Sequence, residues 1–359
     1  MTSTGRPTHV TATDLPARSW VTVDLGAVRA NVRTLRELAR PAELWAVVKA
    51  DGYGHGASAV AAAAIDAGAA AVCVAATAEA VALRETLGDA RIIVLGPTTV
   101  REHCQLRAVG AEVVVGAGEL PDDLPVHLKI DTGMGRVGIR PEDVPDESSK
   151  HIIGVMTHLA VADDEGEDAF TREQLANFER VAARFPTCTR HAANTAVTIR
   201  FENGRYDAVR CGIGIYGLSP FADRPAGIAL CPALRWETRI AALKTLRRGE
   251  STGYGRRFIA DRSIRIGLVP VGYADGLPRA LIGADVIVDG QRCEIVGTPS
   301  MDSFAVRVPT DTAAGAVVTI VGDGVTAEQQ AAAAGTLNYE FVCSIGRDPR
   351  RCERVFDNV

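Results

Sequence analysis

The chain has 359 residues, 47% of them hydrophobic and 23% charged, with a formal net charge of −5. That length allows two domains with sizeable cores, and the slightly acidic balance excludes a general attraction to nucleic acid or anionic membrane. No apolar run reaches the length of a membrane span, and the eight scattered cysteines form no C-x-x-C pair, so they read as reduced core residues rather than disulfides or zinc ligands.

Residues 1–18 are polar, carry two prolines and lack the apolar h-region of a signal peptide, so a flexible leader on a cytoplasmic protein is expected. Trp20 to Leu25 alternates as a strand does, and Asp24 is placed to cap a helix over 27–39. A strand–helix rhythm follows, with strands expected at 44–49, 70–75, 91–96, 111–116, 126–131, 154–159, 189–193 and 208–216. Each is short and rich in Val, Ile or Leu, as strands buried on both faces are. Helical patterns lie between them, among others at 57–67, 77–87 and 171–185. This rhythm predicts an α/β fold with an N-terminal (β/α)8 TIM-type barrel over residues 19–235, a doubly wound open sheet being the alternative.

Beyond residue 236 the helical patterns nearly vanish and alternating segments take over, at 235–246, 264–271, 284–288, 291–296, 303–308 and 317–321. Asp289-Gly290 is a two-residue hairpin signal, and a helix at 327–334 opens on a Thr326…Gln329 capping box. Residues 236–359 therefore read as a second, mostly β domain.

The first barrel strand runs into Val48-Lys49-Ala50-Asp51-Gly52-Tyr53-Gly54-His55-Gly56. A lysine at the inner end of a buried strand is costly unless its charge is paired, or its amine is neutral or covalently engaged. Glycines just after it let backbone N–H groups approach an anion. Pyridoxal phosphate is one group that needs both an amine and a phosphate cradle, and a snorkelling lysine before a flexible turn is the alternative. Other polar residues fall at strand ends, where a barrel gathers its site: Arg136 after the fifth, His158 at the sixth, Asn194-Thr195 after the seventh, and Arg210 with Gly212-Ile213 in the eighth.

Together these motifs, with Gly253-Tyr254-Gly255-Arg256-Arg257-Phe258, Val271-Gly272-Tyr273-Ala274-Asp275-Gly276 and Gly297-Thr298-Pro299-Ser300-Met301-Asp302, resemble the alanine racemase family of fold type III pyridoxal-phosphate enzymes over about residues 18–345. The resemblance implies a two-base racemase that interconverts L- and D-alanine for peptidoglycan, the alternative being a racemase of the same fold with broader or shifted amino-acid specificity, such as for serine. It implies a homodimer with shared active sites and no metal. Lys49 would hold the cofactor as a Schiff base and act as one base, while Tyr254, entering from the other subunit, would be the second. Tyr53, Thr195, Gly212, Ile213 and Asn194 would bind the phosphate, Arg210 would face the pyridine nitrogen, and His158 would link Arg210 towards the tyrosine. Arg136 would steer the substrate carboxylate, Met301 and Asp302 would come across the interface, and Tyr273 and Arg279, with Asp163, would line the entry. Lys129, on the fifth strand, matches a lysine that is carbamylated in some relatives; an ion pair to Asp131 is the alternative.

The chemistry suits these residue types. Racemisation removes a proton from one face and returns it on the other, which two opposed bases do without moving. Lysine and tyrosine both titrate near pH 10 in water, so each must be shifted towards neutrality. A positive Arg210–His158 network would favour the phenolate. An arginine, with a pKa above about 12, does not protonate the ring nitrogen. The chain departs from the family near its end, where Ile345-Gly346-Arg347-Asp348-Pro349-Arg350 contains no tyrosine. Either Arg347 takes over phosphate or entry contacts there, or the pocket is more open.

Overall fold

The computed structural model describes residues 17–144, 151–222 and 224–358, so the expected leader lies, but for its last two residues, outside the described residues. The chain divides into two compact units, residues 24–233 and residues 234–355 joined by the N-terminal strand.

Strand β1 (Ser19–Asp24) alternates buried and part-exposed residues. It pairs antiparallel with Leu234–Arg239, Val21 lying opposite Trp236. It therefore belongs to the sheet of the second unit and not to the barrel where the sequence reading began. The physical reason lies in its periodicity, since one-sided alternation suits a sheet half open to water and not a barrel covered on both faces. Asp24 then caps helix α1 (Leu25–Ala39), its Oδ1 accepting from the N–H of Ala27 at 2.8 Å.

The first unit is an eight-stranded parallel barrel. Its strands are β2 (Glu43–Val47), β3 (Ala71–Val74), β4 (Ile92–Val94), β5 (Glu112–Val115), β6 (Val126–Lys129), β7 (Ile152–Met156), β8 (Thr189–His191) and β9 (Ala208–Cys211). Each pairs with the next through β8, and β9 pairs with β2. The remaining seam, between β8 and β9, is stitched by backbone bonds from Asp207 N to Arg190 O (3.0 Å) and from Arg210 N to Ala193 O (2.9 Å). The eighth strand ends earlier than its apolar run suggests. After Cys211 the chain turns through Gly212 into a 3-10 turn, Ile213–Tyr216, that opens at the barrel mouth.

The second unit is built on a nine-stranded, mostly antiparallel sheet. The alternating run at 235–246 is two strands, Leu234–Arg239 and Ala242–Leu246. Asp289-Gly290 makes the anticipated hairpin, with Val288 opposite Gln291 and positive φ at both turn residues (43° and 83°). Thr326 and Gln329 form the capping box of helix Ala327–Ala334, and a further helix, Asn338–Ser344, follows it. All eight cysteines are free, and among the described residues no helix is long and apolar enough to cross a membrane.

One position tests the packing beside the mouth. Gly217 has φ +79°, and a Cβ there would lie 1.8 Å from the carbonyl oxygen of Cys231. Gly217→Ala is expected to destabilise the protein by about 2 kcal/mol or more. Thermal melting would read this as a clear fall in Tm, and an unchanged Tm would show that the 231–232 loop has room to yield.

Candidate active site

Lys49 follows β2 directly and is half-buried. The next four residues are all left-handed, with φ of 53° at Ala50, 53° at Asp51, 62° at Gly52 and 53° at Tyr53. Left-handed helical backbone costs non-glycine residues about 1–2 kcal/mol each, so this turn must be held from outside. Glu79 does part of that: its carboxylate accepts from Ala50 N (2.7 Å), Ala75 N (2.7 Å) and Ala76 N (3.0 Å). Asp51 accepts from Ala57 N at 2.9 Å, and Tyr53 stacks on Tyr216, whose hydroxyl donates to Val47 O at 2.9 Å. The turn brings Tyr53 back over the end of β9. A Cβ on Gly212 would fall 2.5 Å from the Tyr53 hydroxyl, and one on Gly214 would fall 2.6 Å from Thr195 Cγ2. Tyr53, Thr195, Gly212 and Ile213 thus share one small, largely buried space. Asn194 is beside it, and its Oδ1 is occupied in capping helix Thr195–Arg200 through Val197 N at 3.0 Å.

Arg210 lies at the inner edge of this space and is only 3% exposed. One Nη donates to His191 Nδ1 and to His191 O, both at 2.8 Å; the other donates to Thr157 O at 2.8 Å and Ala192 O at 3.2 Å and lies 3.5 Å from His158 Nδ1. Burial lowers the Arg210 pKa to about 10, so the guanidinium stays charged at neutral pH.

Lys129 and Arg136 complete a cationic cluster with Lys49 and Arg210, and His158 lies among them. Burial, followed by the charges of Arg210, Arg136, Lys129 and Lys49, pushes the His158 pKa down to about 3. His158 is therefore neutral, and the positive network expected of an Arg210–His158 pair reduces to Arg210 alone. Lys129 is 6% exposed, and burial, with Arg136 and Arg210 next, lowers its pKa to about 8. Among the described residues it forms no ion pair. Asp131, expected as its partner, turns its Oδ1 to the backbone N–H groups of Gly133 (3.1 Å) and Gly135 (3.0 Å) and shapes the loop that carries Arg136. A cluster of positive charge and a cradle that a Cβ would fill together fit an anionic aromatic group of the kind pyridoxal phosphate is.

The remaining predicted residues belong to the second unit. Tyr254 is 69% exposed on a tight turn whose carbonyl accepts from Thr298 Oγ1 at 3.1 Å. Gly253 approaches Thr298 N so closely that a Cβ would be 2.7 Å away, which locks this turn to the 297–302 segment. Tyr273 N in turn donates to Ser300 O at 3.1 Å, and Ala274 N donates to Met301 O at 3.0 Å. Tyr254, Tyr273 and Met301, all exposed, are thereby set on interlocked turns. Asp302 accepts from Arg351 at 2.9 Å, and Arg351 also grips the buried Asp275 through two bonds, at 2.6 and 2.9 Å. Sequence reading missed Arg351, as it missed Glu79 and His191. Arg347 donates to Cys343 O at 2.8 Å, closing the end of the last helix.

The description "Alanine racemase, N-terminal domain" matches residues 23–220 and "Alanine racemase, C-terminal domain" matches 233–355. The alanine racemase of Symbiobacterium thermophilum is 40% identical, with 92% of this chain and 95% of that protein covered. The crystal structure of alanine racemase from D-cycloserine-producing Streptomyces lavendulae superposes with TM-score 0.88 at 34% identity, covering 96% and 98%. That from Bartonella henselae, described with covalently bound pyridoxal phosphate, superposes with TM-score 0.87 at 27% identity, covering 95% and 100%. The chain belongs to the alanine racemase family.

Proposed function

We propose that this chain is a pyridoxal-phosphate-dependent racemase that interconverts L- and D-alanine, with Lys49 and Tyr254 as its two bases. The observation that carries the reading is the cationic cluster of Lys49, Lys129, Arg136 and Arg210, which sits beside the Tyr53–Gly212 cradle. Pyridoxal phosphate, when bound, supplies an electron sink that acidifies the substrate's α-proton.

The chain's own residues do the rest. Tyr53, Thr195 and the backbone of Gly212 and Ile213 would bind the phosphate, with Asn194 beside them. Arg210 would donate to the ring nitrogen while remaining charged itself. Arg136 would hold the substrate carboxylate, and Lys49 would carry the proton on one face. His158, being neutral, would pass a hydrogen bond rather than a charge. On the opposite face the proton would be held by Tyr254 of the partner subunit. Exposure of Tyr254, Tyr273 and Met301 on interlocked turns supports the reading that this surface is covered in a dimer. Apolar and aromatic side chains in such a cluster are costly to leave in water.

Borohydride treatment of the cofactor-loaded protein is expected to abolish its visible absorption and to leave a mass increment on the peptide carrying Lys49; an increment elsewhere sinks the assignment. Tyr254→Phe should keep that absorption and lose about 10²–10⁴-fold in racemisation. Mixing Lys49→Ala with Tyr254→Phe subunits should regenerate roughly a quarter of wild-type activity, since random pairing gives one intact site in half of the dimers. No recovery on mixing would refute the shared site. Lys129 supports a second test, because its amine becomes neutral above about pH 8 and so reactive towards carbon dioxide. A carbamate resonance from 13C-labelled bicarbonate should appear on the alkaline side of that value and be missing from Lys129→Met.

A further inference from the structure

A hydrogen-bonded chain of side chains runs through the barrel interior beneath Arg210. Arg210 Nη1 meets His191 Nδ1 at 2.8 Å, His191 Nε2 meets His127 Nδ1 at 2.9 Å, and His127 Nε2 meets Glu112 Oε2 at 2.7 Å. Arg91 closes the far end with bidentate bonds to Glu112 at 2.6 and 2.9 Å. Both histidines are fully buried, and the Trp45 ring packs against each, at 5.6 and 4.6 Å between centroids. The room for His127 is made by Gly154, where a Cβ would sit 2.0 Å from His127 Nδ1.

Donor and acceptor bookkeeping leaves one arrangement. Glu112 can only accept, so His127 must donate from Nε2 and is left with an acceptor at Nδ1. His191 must then donate from Nε2 and accept at Nδ1, which is the atom Arg210 needs. Every bond in the chain points from Arg210 towards Glu112, and both rings are neutral. Burial lowers the pKa of each histidine, in agreement. Reversing either ring would set an N–H against an N–H inside a dry barrel, where an unmade bond costs about 1–3 kcal/mol.

We infer that Glu112, through the fixed tautomers of His127 and His191, is a remote positioning residue that aims the Arg210 guanidinium at the barrel mouth. The catalytic part of this inference rests on the racemase reading above; the tautomer part does not. Selective 15N-histidine labelling of the wild-type protein, without and with cofactor, should show Nε2–H and bare Nδ1 at both His127 and His191 at neutral pH. An Nδ1–H or an imidazolium at either ring would overturn the inference, whatever the enzyme turns over.

Glu112→Gln puts an amide N–H either against Arg91 or against His127, so it should mix or reverse the tautomers. It should lower kcat by up to about 100-fold with KM for alanine nearly unchanged, because the shift falls on Arg210 and not on the substrate's own contacts. Glu112→Asp, which restores the carboxylate, should recover both the wild-type resonances and much of kcat. Wild-type resonances and kcat in a folded Glu112→Gln protein would equally refute the positioning role. Failure of the racemase reading itself would show instead as no borohydride adduct at Lys49 with the resonance pattern intact.

Discussion

The crowding of positive charge at the barrel mouth is the constraint on which the rest of the site depends. Burial first, and then the charges of Arg136, Arg210 and Lys49 around them, push down the pKa values of both Lys129 and His158. In a partly desolvated medium with an effective dielectric of about 20, two like charges about 6 Å apart cost close to 3 kcal/mol. An anionic ligand that brings a phosphate and a phenolic oxygen would offset that repulsion, so the same residues would favour such an occupant.

The repulsion is tolerated because the surroundings are unusually well tied. Four successive left-handed residues place Lys49 and Tyr53, and they are held by the Glu79 and Asp51 carboxylates and by Tyr216. Beneath them, a barrel interior that is ordinarily packed with branched aliphatic side chains carries Glu112, His127, His191 and Arg210 instead. A polar core of this kind is stabilising only when every atom is matched, and then it admits one arrangement. The barrel gives up apolar packing at its centre and gains a rigid seat for one guanidinium.

Much of this architecture could be read from the residues alone, for physical reasons. Continuous Val/Ile/Leu runs between helical patterns are what a parallel barrel demands, and polar residues at their ends point to its mouth. Ser19–Asp24 was misplaced because its position in the chain was given more weight than its period of two. The left-handed turn was half legible: Gly52 signals it, but Ala50, Asp51 and Tyr53 have ordinary side chains driven into that conformation by Glu79, 29 positions away in the chain of the Ala50 contact. The Glu112–His127–His191 chain was illegible because its partners lie on three different strands, with no local spacing to link them. Arg351 escaped notice because its partners, Asp275 and Asp302, are distant in sequence and close only through folded turns.

Strand Ser19–Asp24 has a consequence for how the polypeptide is made. It leaves the ribosome well before its partner Leu234–Arg239, which emerges only after the whole barrel. Its other neighbour, Cys352–Asp357, comes later still. At translation rates of about 5–20 residues per second, the first strand waits on the order of ten seconds or more for an edge to join. The barrel is one unbroken run and can close during that interval. Assembly of the second sheet therefore waits for the barrel to be made, and the nascent chain carries an unpaired, half-apolar strand until then, a natural point of engagement for a chaperone that binds extended segments.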